Sequence, residues 1–444
     1  MKTWRSAKPG GCDRTAASDS EIFYDSRPIP GFEDDGSDRI CASKLAINGL
    51  SQHSTSARIT IDFAFTANQL YGLDFIIYSR YIIIIMAESL VFAPGSTEPL
   101  KEVRLHSIPT PTDCGPSQVI VELLAAPINP LDFLVLHGKY PVKPQNNVAL
   151  ANGEQRPIPG SDGAARIVQT GSAVTQVHIG DTVIIRTHCQ GSWRTHAVLD
   201  ENDVLRVPSV VDPQLACILR MGVAPAYFLL RDYATIEPGD WIIQNAATGT
   251  VSHFVSQLAH LQGANIISVI RSRGTEDELE RTKRSLRSHG ASLVLTVDEL
   301  KFTGPELLAG KRINLAIDFV SDDSLARLMA SFLAPGATLV TAGFLGVASS
   351  GTDGSLRQFL WQRNITLKAF RLSDCMGRRS SSQQTALMEW FGRLFKDGTL
   401  KAPALEYVRW KRGDEGLERK LQEVLERHER GDVGERKKIF VFER

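Results

Sequence analysis

Neither sign of charge dominates this chain: across 444 residues, 50 lysines and arginines offset 50 aspartates and glutamates. No basic stripe interleaved with aromatics is present, so no nucleic-acid partner is expected. Cysteine is sparse and dispersed. Its six copies, Cys12, Cys41, Cys114, Cys189, Cys217 and Cys375, form no CxxC pair. That excludes a disulfide framework or a zinc knuckle and suits a reducing compartment. The apolar run at 73–86 (LDFIIYSRYIIIIM) is broken by Asp74 and Arg80 and is too short to span a bilayer, so no membrane partner is expected. Internal repeats are also missing, which removes solenoid architectures.

The first 85 residues are rich in Ser, Gly and Asp and show no sustained periodicity before that run. A disordered leader or a misassigned start is expected there. Its acids (Asp13, Asp19, Glu21, Glu33, Asp34, Asp35) set it apart from an acid-poor mitochondrial presequence. A coherent domain is expected from Met86. From Val119 the chain reads as short β-type runs split by Gly, Pro and Asp (VIVELLAAPINP, GAARIVQTGSAV, GDTVIIRTH, WRTHAVLDENDVLRVP). Such spacing predicts a small barrel over 86–210. Near Asp212 the texture turns helical, in DPQLACILRMGVAPAYFLLRDYA, with Pro213 suited to a first turn.

Residues 241–273 (WIIQNAATGTVSHFVSQLAHLQGANIISVIRSR) are the most informative stretch. An apolar run, a small-residue turn, an amphipathic helix at 251–261 and a second apolar run read as strand, turn, helix, strand. This unit presents a helix N-terminus to a dinucleotide pyrophosphate. Arg271 and Arg273 stand where an NAD enzyme would keep a ribose-binding acid, which favours a 2′-phosphate. A helix at 277–288 and strands at 292–297, 315–320 and 337–342 continue the alternation, with 365–370 as an edge strand. The expected fold class is therefore α/β, with a doubly wound parallel sheet over 211–369. A surface helix at 415–430 and a terminal strand at 437–442 follow.

A barrel followed by this unit resembles the medium-chain dehydrogenase/reductase superfamily, from Met86 to the C-terminus. The nearest branch is the zinc-free quinone oxidoreductases, specifically the mitochondrial 2-enoyl thioester reductases. Four stretches carry the likeness: NPLDFLVLHGKY (129–140), GSWRT (191–195), IQNAATGTVSHFVSQLA (243–259) and SVIRSR (268–273). The resemblance implies a GroES-like catalytic domain, a Rossmann domain, and a return to the catalytic domain over 370–444. Zinc members carry a His-Glu pair after a glycine and a run of cysteines; here 159–165 reads PGSDGAA and the run is missing. Catalytic zinc needs three protein ligands, so no metal is expected. His188 and Cys189 would point to opposite faces of a β segment.

By the same resemblance, Tyr140 is the proton donor to C2 of a 2-enoyl thioester whose C3 receives hydride from NADPH. Thr248, Gly249, Thr250 and Val251 match the pyrophosphate turn, and Arg271, Ser272 and Arg273 the 2′-phosphate site. Gly222 lies near the nicotinamide. Ala342, Gly343, Phe344 and Leu345 match a loop along its nicotinamide half, Phe370, Arg371, Leu372 and Ser373 a further lining segment, and Lys437 a lysine reaching in from the terminal strand. The partners implied are an acyl thioester on CoA or acyl-carrier protein and a second copy in a homodimer. The location implied is the mitochondrial matrix, or the cytoplasm if translation starts at Met86.

Several positions depart from the family pattern. Ser252 replaces the third glycine of the turn. Gly222, Val223, Ala224, Pro225, Ala226 and Tyr227 stand where the family reads Asn-Pro-x-Thr-Ala-Tyr. Arg371 replaces a tryptophan, and Ser321 and Asp322 replace paired glycines. Two alternatives to enoyl thioester reduction stay open: a quinone or enone reductase, and an NADPH-binding protein of weak activity.

Overall fold

Apolar β-type runs in the first half of the chain pair as strands, and apolar runs between helices in the second half stack in parallel. The computed structural model describes residues 56–60, 75–78, 81–150, 152–272, 274–343, 354–431 and 436–443. In chain order, β1 (Ser56–Thr60), β2 (Phe75–Tyr78), β3 (Tyr81–Val91) and β4 (Arg104–Pro109) form one antiparallel sheet in which β3 pairs with the other three. Part of the stretch expected to be a leader is thus β-structure, with Phe75 opposite Ile84 and Ile77 opposite Ile82. β-branched residues prefer extended backbone, and 81–85 is an isoleucine-rich run. Strand β3 passes through Met86 unbroken, so the expected boundary falls inside a strand.

The barrel part contains β5 (Gln118–Pro127), α1 (Pro130–Leu136), β6 (Asn147–Ala149), β7 (Gln155–Pro157), β8 (Ala164–Thr170), β9 (Thr182–Ile185), β10 (His196–Asp200) and β11 (Val204–Arg206). The Rossmann part follows with α2 (Pro213–Ala216), α3 (Ala224–Asp232), β12 (Trp241–Gln244), α4 (Thr250–Leu261), β13 (Asn265–Ile270), α5 (Glu276–Ser288) and β14 (Leu293–Thr296). It continues through α6 (Val297–Phe302), α7 (Gly304–Leu307), β15 (Ile313–Asp318), α8 (Asp323–Ala330), β16 (Thr338–Thr341), α9 (Gly354–Gln362) and β17 (Thr366–Ala369). Last come α10 (Leu372–Gly377), α11 (Ser381–Lys396), β18 (Leu405–Lys411), α12 (Leu417–Arg430) and β19 (Lys437–Glu443).

The barrel sheet runs β11-β9-β8-β5-β19-β18, with β10 also on β5. Alternate residues Val119, Val121 and Leu123 of β5 meet Ala165, Ile167, Val183 and Ile185 in one core. The Rossmann sheet is parallel in the order β14-β13-β12-β15-β16-β17. Both its faces are covered. Ile242 packs under Phe254, Val255 and Leu258 of α4, while the next residue, Ile243, packs with Leu300 and Met329 on the other side. The C-terminal strands rejoin the barrel through β19 on β5. Helices α10 and α11 instead share a core with α3, and Gln384 of α11 accepts from Arg186 Nε at 3.0 Å. Strand addition to the barrel therefore begins at β18 rather than at residue 370.

The single helix expected around 212–234 is broken. Between α2 and α3, Leu219–Val223 forms a wide π turn in which Val223 N donates to Ile218 O and Ala224 N to Leu219 O. Pro225 lacks an N–H and cannot donate to the Met221 carbonyl, so the ordinary ladder cannot pass this point. Pro213–Asp232 is long and apolar enough to cross a membrane by composition alone. Its side chains Leu219, Val223, Phe228 and Leu229 are fully buried here, as in the core helix of a folded domain.

Candidate active site

Helix α4 starts without a side-chain cap, as do α3, α7, α10 and α12. Helices α5, α6, α8 and α11 are each closed by a Thr, Asp or Ser side chain, but α4 begins at Gly249 with no side-chain cap. Its first N–H groups are therefore left for another acceptor, and the helix dipole favours an anion there. The preceding turn is held from within. Ala246 sits at φ 45, Gly249 N donates to Ala246 O at 2.8 Å, and Thr248 lies between them. Ser252 is buried and donates to Ala246 O (3.2 Å) and Asn245 O (3.4 Å), so the serine replacing a family glycine ties the turn to the helix. Thr250 and Val251 form the first turn.

The opposite wall comes from the loops after β15 and β16. Asn245 Nδ2 donates to Asp318 Oδ1 at 2.6 Å, and that oxygen also accepts from Val320 N and Ser321 N at 3.0 Å each. Where the family carries paired glycines, Ser321 takes φ 61 and Asp322 caps α8 by accepting from Leu325 N. Gly343 follows Ala342 and allows close approach: a Cβ there would lie 2.1 Å from Phe319 O. Arg271 and Ser272 are exposed just past β13. Arg273, Phe344 and Leu345 lie outside the described residues. An open helix start, a glycine cradle and an exposed guanidinium fit a phosphorylated dinucleotide.

The barrel supplies the other half. Helix α1 has a capping box in which Asp132 Oδ2 accepts from Asn129 N at 2.8 Å, and Lys437 Nζ donates to Ile128 O (2.8 Å) and to Asn129 Oδ1. Lys437 is thus engaged at the base of α1. Burial lowers its ammonium to about 8, against the carboxylates Asp132 and Asp162. The loop after α1 delivers Tyr140, half-buried, with its hydroxyl 3.4 Å from His188 Nε2 and the two rings edge-on at 5.7 Å. Burial raises the Tyr140 phenol, assisted by Cys189, while Arg371 and Arg220 pull the other way. The phenol is protonated at neutral pH. His188 is lowered to about 4 by burial, then by Arg220 and Arg371, and is neutral.

His188 and Cys189 are not on a strand, contrary to expectation. They form a turn beyond β9, where Cys189 adopts φ 64 and is buried with its thiol toward Val142 O. Among the described residues no group of three or more His, Cys, Asp or Glu could hold a metal. At PGSDGAA the structure has an ion pair instead: Arg220 Nε to Asp162 Oδ1 at 2.9 Å, with Arg220 Nη2 donating to Ser161 O at 2.8 Å.

The π turn joins the halves. Asn129 Nδ2 contacts Met221 Sδ at 3.8 Å, and Gly222 meets α4, where a Cβ would lie 3.1 Å from Thr250 Cγ2. Phe370 packs against Tyr233 with tilted rings 5.7 Å apart, followed by Leu372 and Ser373 at the start of α10. Arg371 is exposed, 3.7 Å from Asp374, yet close enough for its charge to act on both Tyr140 and His188. Sequence reasoning passed over Arg220, Asp162 and Asn129. A lone arginine inside the apolar run ACILRMGV was the available signal, since a charge buried there needs a partner.

Comparison with known proteins agrees with this geometry. The alcohol dehydrogenase GroES-like domain family matches residues 115–209. The mitochondrial enoyl-[acyl-carrier-protein] reductase of Bos taurus is 33% identical over 319 residues, covering 71% of this chain and 79% of that protein. The mitochondrial 2-enoyl thioester reductase Etr1p/Etr2p heterodimer from Candida tropicalis superposes with a TM-score of 0.69 at 23% identity, covering 80% of this chain and 100% of that one. An Etr1p complex with NADP and crotonyl-CoA gives a TM-score of 0.68 at 23% identity over the same shares. With its barrel and its parallel Rossmann sheet, the chain belongs to the enoyl-[acyl-carrier-protein] reductase family of oxidoreductases, within the medium-chain dehydrogenase/reductase superfamily.

Proposed function

We propose that this protein uses NADPH to reduce the C2=C3 double bond of a 2-enoyl thioester carried on CoA or acyl-carrier protein, in mitochondrial fatty acid synthesis. One observation carries the reading: Tyr140, from the barrel, is half-buried and protonated within reach of the charge of Arg371, from the cofactor side. The N–H groups at Thr250 and Val251 hold the pyrophosphate, with Thr248 and Gly249 shaping the turn around it, and Arg271 with Arg273 the 2′-phosphate. When bound, NADPH supplies the hydride for C3. Tyr140 gives its hydroxyl proton to C2, and the electron pair stays on the phenol oxygen. Gly343 lets the backbone come close to the nicotinamide half, and Phe370, Arg371, Leu372 and Ser373 line it.

The matrix is the proposed location, since the relatives named above are mitochondrial. The unbroken β3 through Met86 gives no support to a cytoplasmic form that begins there. A homodimer joined at the Rossmann sheet edge is proposed from β17, all four of whose residues are exposed, beside Trp361 at 81% exposure.

Assays of NADPH and NADH oxidation against 2-enoyl-CoAs of increasing length and against small quinones test the function. Turnover of crotonyl-CoA or a longer enoyl-CoA is expected. Turnover of quinones alone, or cofactor binding without oxidation of any enone, would replace it. Tyr140→Phe should lower kcat by at least ~100-fold with NADPH affinity kept, the usual size of a lost general acid.

A further inference from the structure

The proton chemistry assigned to Tyr140 leaves a phenolate behind, and something must stabilise that charge in a half-buried site. We propose that His188 donates its Nε2–H to the Tyr140 hydroxyl oxygen, acting as a positioning residue that turns the phenol proton toward substrate and supports the phenolate. This inference rests on the enoyl-reductase reading above.

The geometry comes first. His188 and Tyr140 lie 48 positions apart, on the turn after β9 and the loop after α1, yet Nε2 and Oη face each other at 3.4 Å with the rings edge-on. The contact is long for a resting hydrogen bond, and such contacts tighten when charge develops on the acceptor. The charged and titratable groups facing the pair are Arg371 on the cofactor side, Arg220 on the π turn and Cys189 beside His188. Burial, with the two guanidinium groups adding to it, disfavours an imidazolium here, so the ring stays neutral and carries one N–H. A neutral donor suits the role. It leaves the phenol's own O–H free for C2, whereas a ring accepting that O–H would hold the proton back.

The step balances. The Tyr140 O–H bond breaks and a C2–H bond forms on the substrate, whose C3 has received hydride from NADPH. The electron pair of the broken bond remains on Oη, which accepts the His188 hydrogen bond. A proton from solvent then restores the phenol.

The test compares His188→Ala and His188→Gln with wild type and with Tyr140→Phe. Gln keeps a side-chain N–H at similar reach. For His188→Ala, kcat for enoyl-CoA should fall roughly tenfold while KM for NADPH stays put, the size of about one pKa unit. The basic limb of the pH–kcat profile should move up by about one unit, and His188→Gln should recover most of both. A second readout needs no turnover: ultraviolet titration of the Tyr140 phenol, taken as wild type minus Tyr140→Phe, should show a higher midpoint in the His188→Ala background. An unchanged midpoint and basic limb in His188→Ala would overturn the role of His188 even in an active enzyme. If wild type reduces no enoyl thioester but the midpoint still moves, the contact stands and the reaction assigned to it falls.

Discussion

Arg220 and Asp162 form an ion pair at 2.9 Å whose side chains are 3% and 1% exposed, and the pair fastens the π turn to the barrel. Asp162 Oδ2 also accepts from Met221 N at 3.3 Å, so one carboxylate holds both the side chain and the backbone of that turn. Removing one partner leaves a charge buried alone. Asp162→Leu and Arg220→Met should each cost about 3–5 kcal/mol, while the double change combining them should cost less than either. Urea titrations of the three variants decide this. Additive losses would show that the two residues do not act as a pair.

Cofactor choice should depend on Arg271. Charge-assisted hydrogen bonds to a phosphate contribute about 1.5–3 kcal/mol each, so Arg271→Ala should weaken NADPH binding roughly 10- to 100-fold. NADH, which has no 2′-phosphate, should bind as before. Fluorescence titration with both nucleotides measures the ratio, and an equal loss for the two would remove Arg271 from the phosphate site.

At Gly343 the constraint is steric. A methyl group would sit 2.1 Å from the Phe319 carbonyl oxygen, well inside van der Waals contact with rigid backbone. Gly343→Ala should therefore displace the loop after β16, weakening NADPH binding at least ~10-fold while the far-UV circular dichroism stays native. Unchanged binding would mean that this loop does not touch the cofactor.

The pH dependence of stability follows from His253 on α4. Its imidazole is buried against the Lys401 carbonyl (2.7 Å) and lowered to about 4, mainly by burial. The unfolded chain takes up this proton near pH 6.5 and the folded one near 4, so stability falls as pH drops from 6.5 toward 4. Between pH 7 and 5 the wild type should lose about 2 kcal/mol more than His253→Gln. Parallel denaturant titrations at the two pH values check it, and equal slopes for both proteins would contradict the assignment.

The Rossmann half was legible because its signals are local. Ile242 and Ile243 alternate, Val251 to Ala259 repeats at helical spacing, and Gly290 ends a helix. The expected strand at 315–320 begins two residues early, at Ile313, since periodicity marks buried residues and not ladder ends. Other features depend on contacts distant in sequence. Gly222 and Pro225 read as lost polar groups, but they permit the wide turn that lets Thr250 approach. His188 faces Tyr140 from a turn in which Cys189 takes a positive φ, a feature no strand pattern encodes. Strands β1 and β2 were missed because each is short, and their pairing to β3 is set by register rather than composition.

The uncapped start of α4 has a consequence for the life of the protein in the cell. N–H groups that no side chain caps are available to a pyrophosphate, so ligand binding is also a folding force. Stability rises as RT ln(1 + [L]/Kd), about 2.7 kcal/mol at a hundredfold excess over Kd. A shift of that size changes the unfolded fraction roughly a hundredfold, the fraction that proteases consume. The open start at Gly249 thus couples the stability of the fold to the nucleotide it binds.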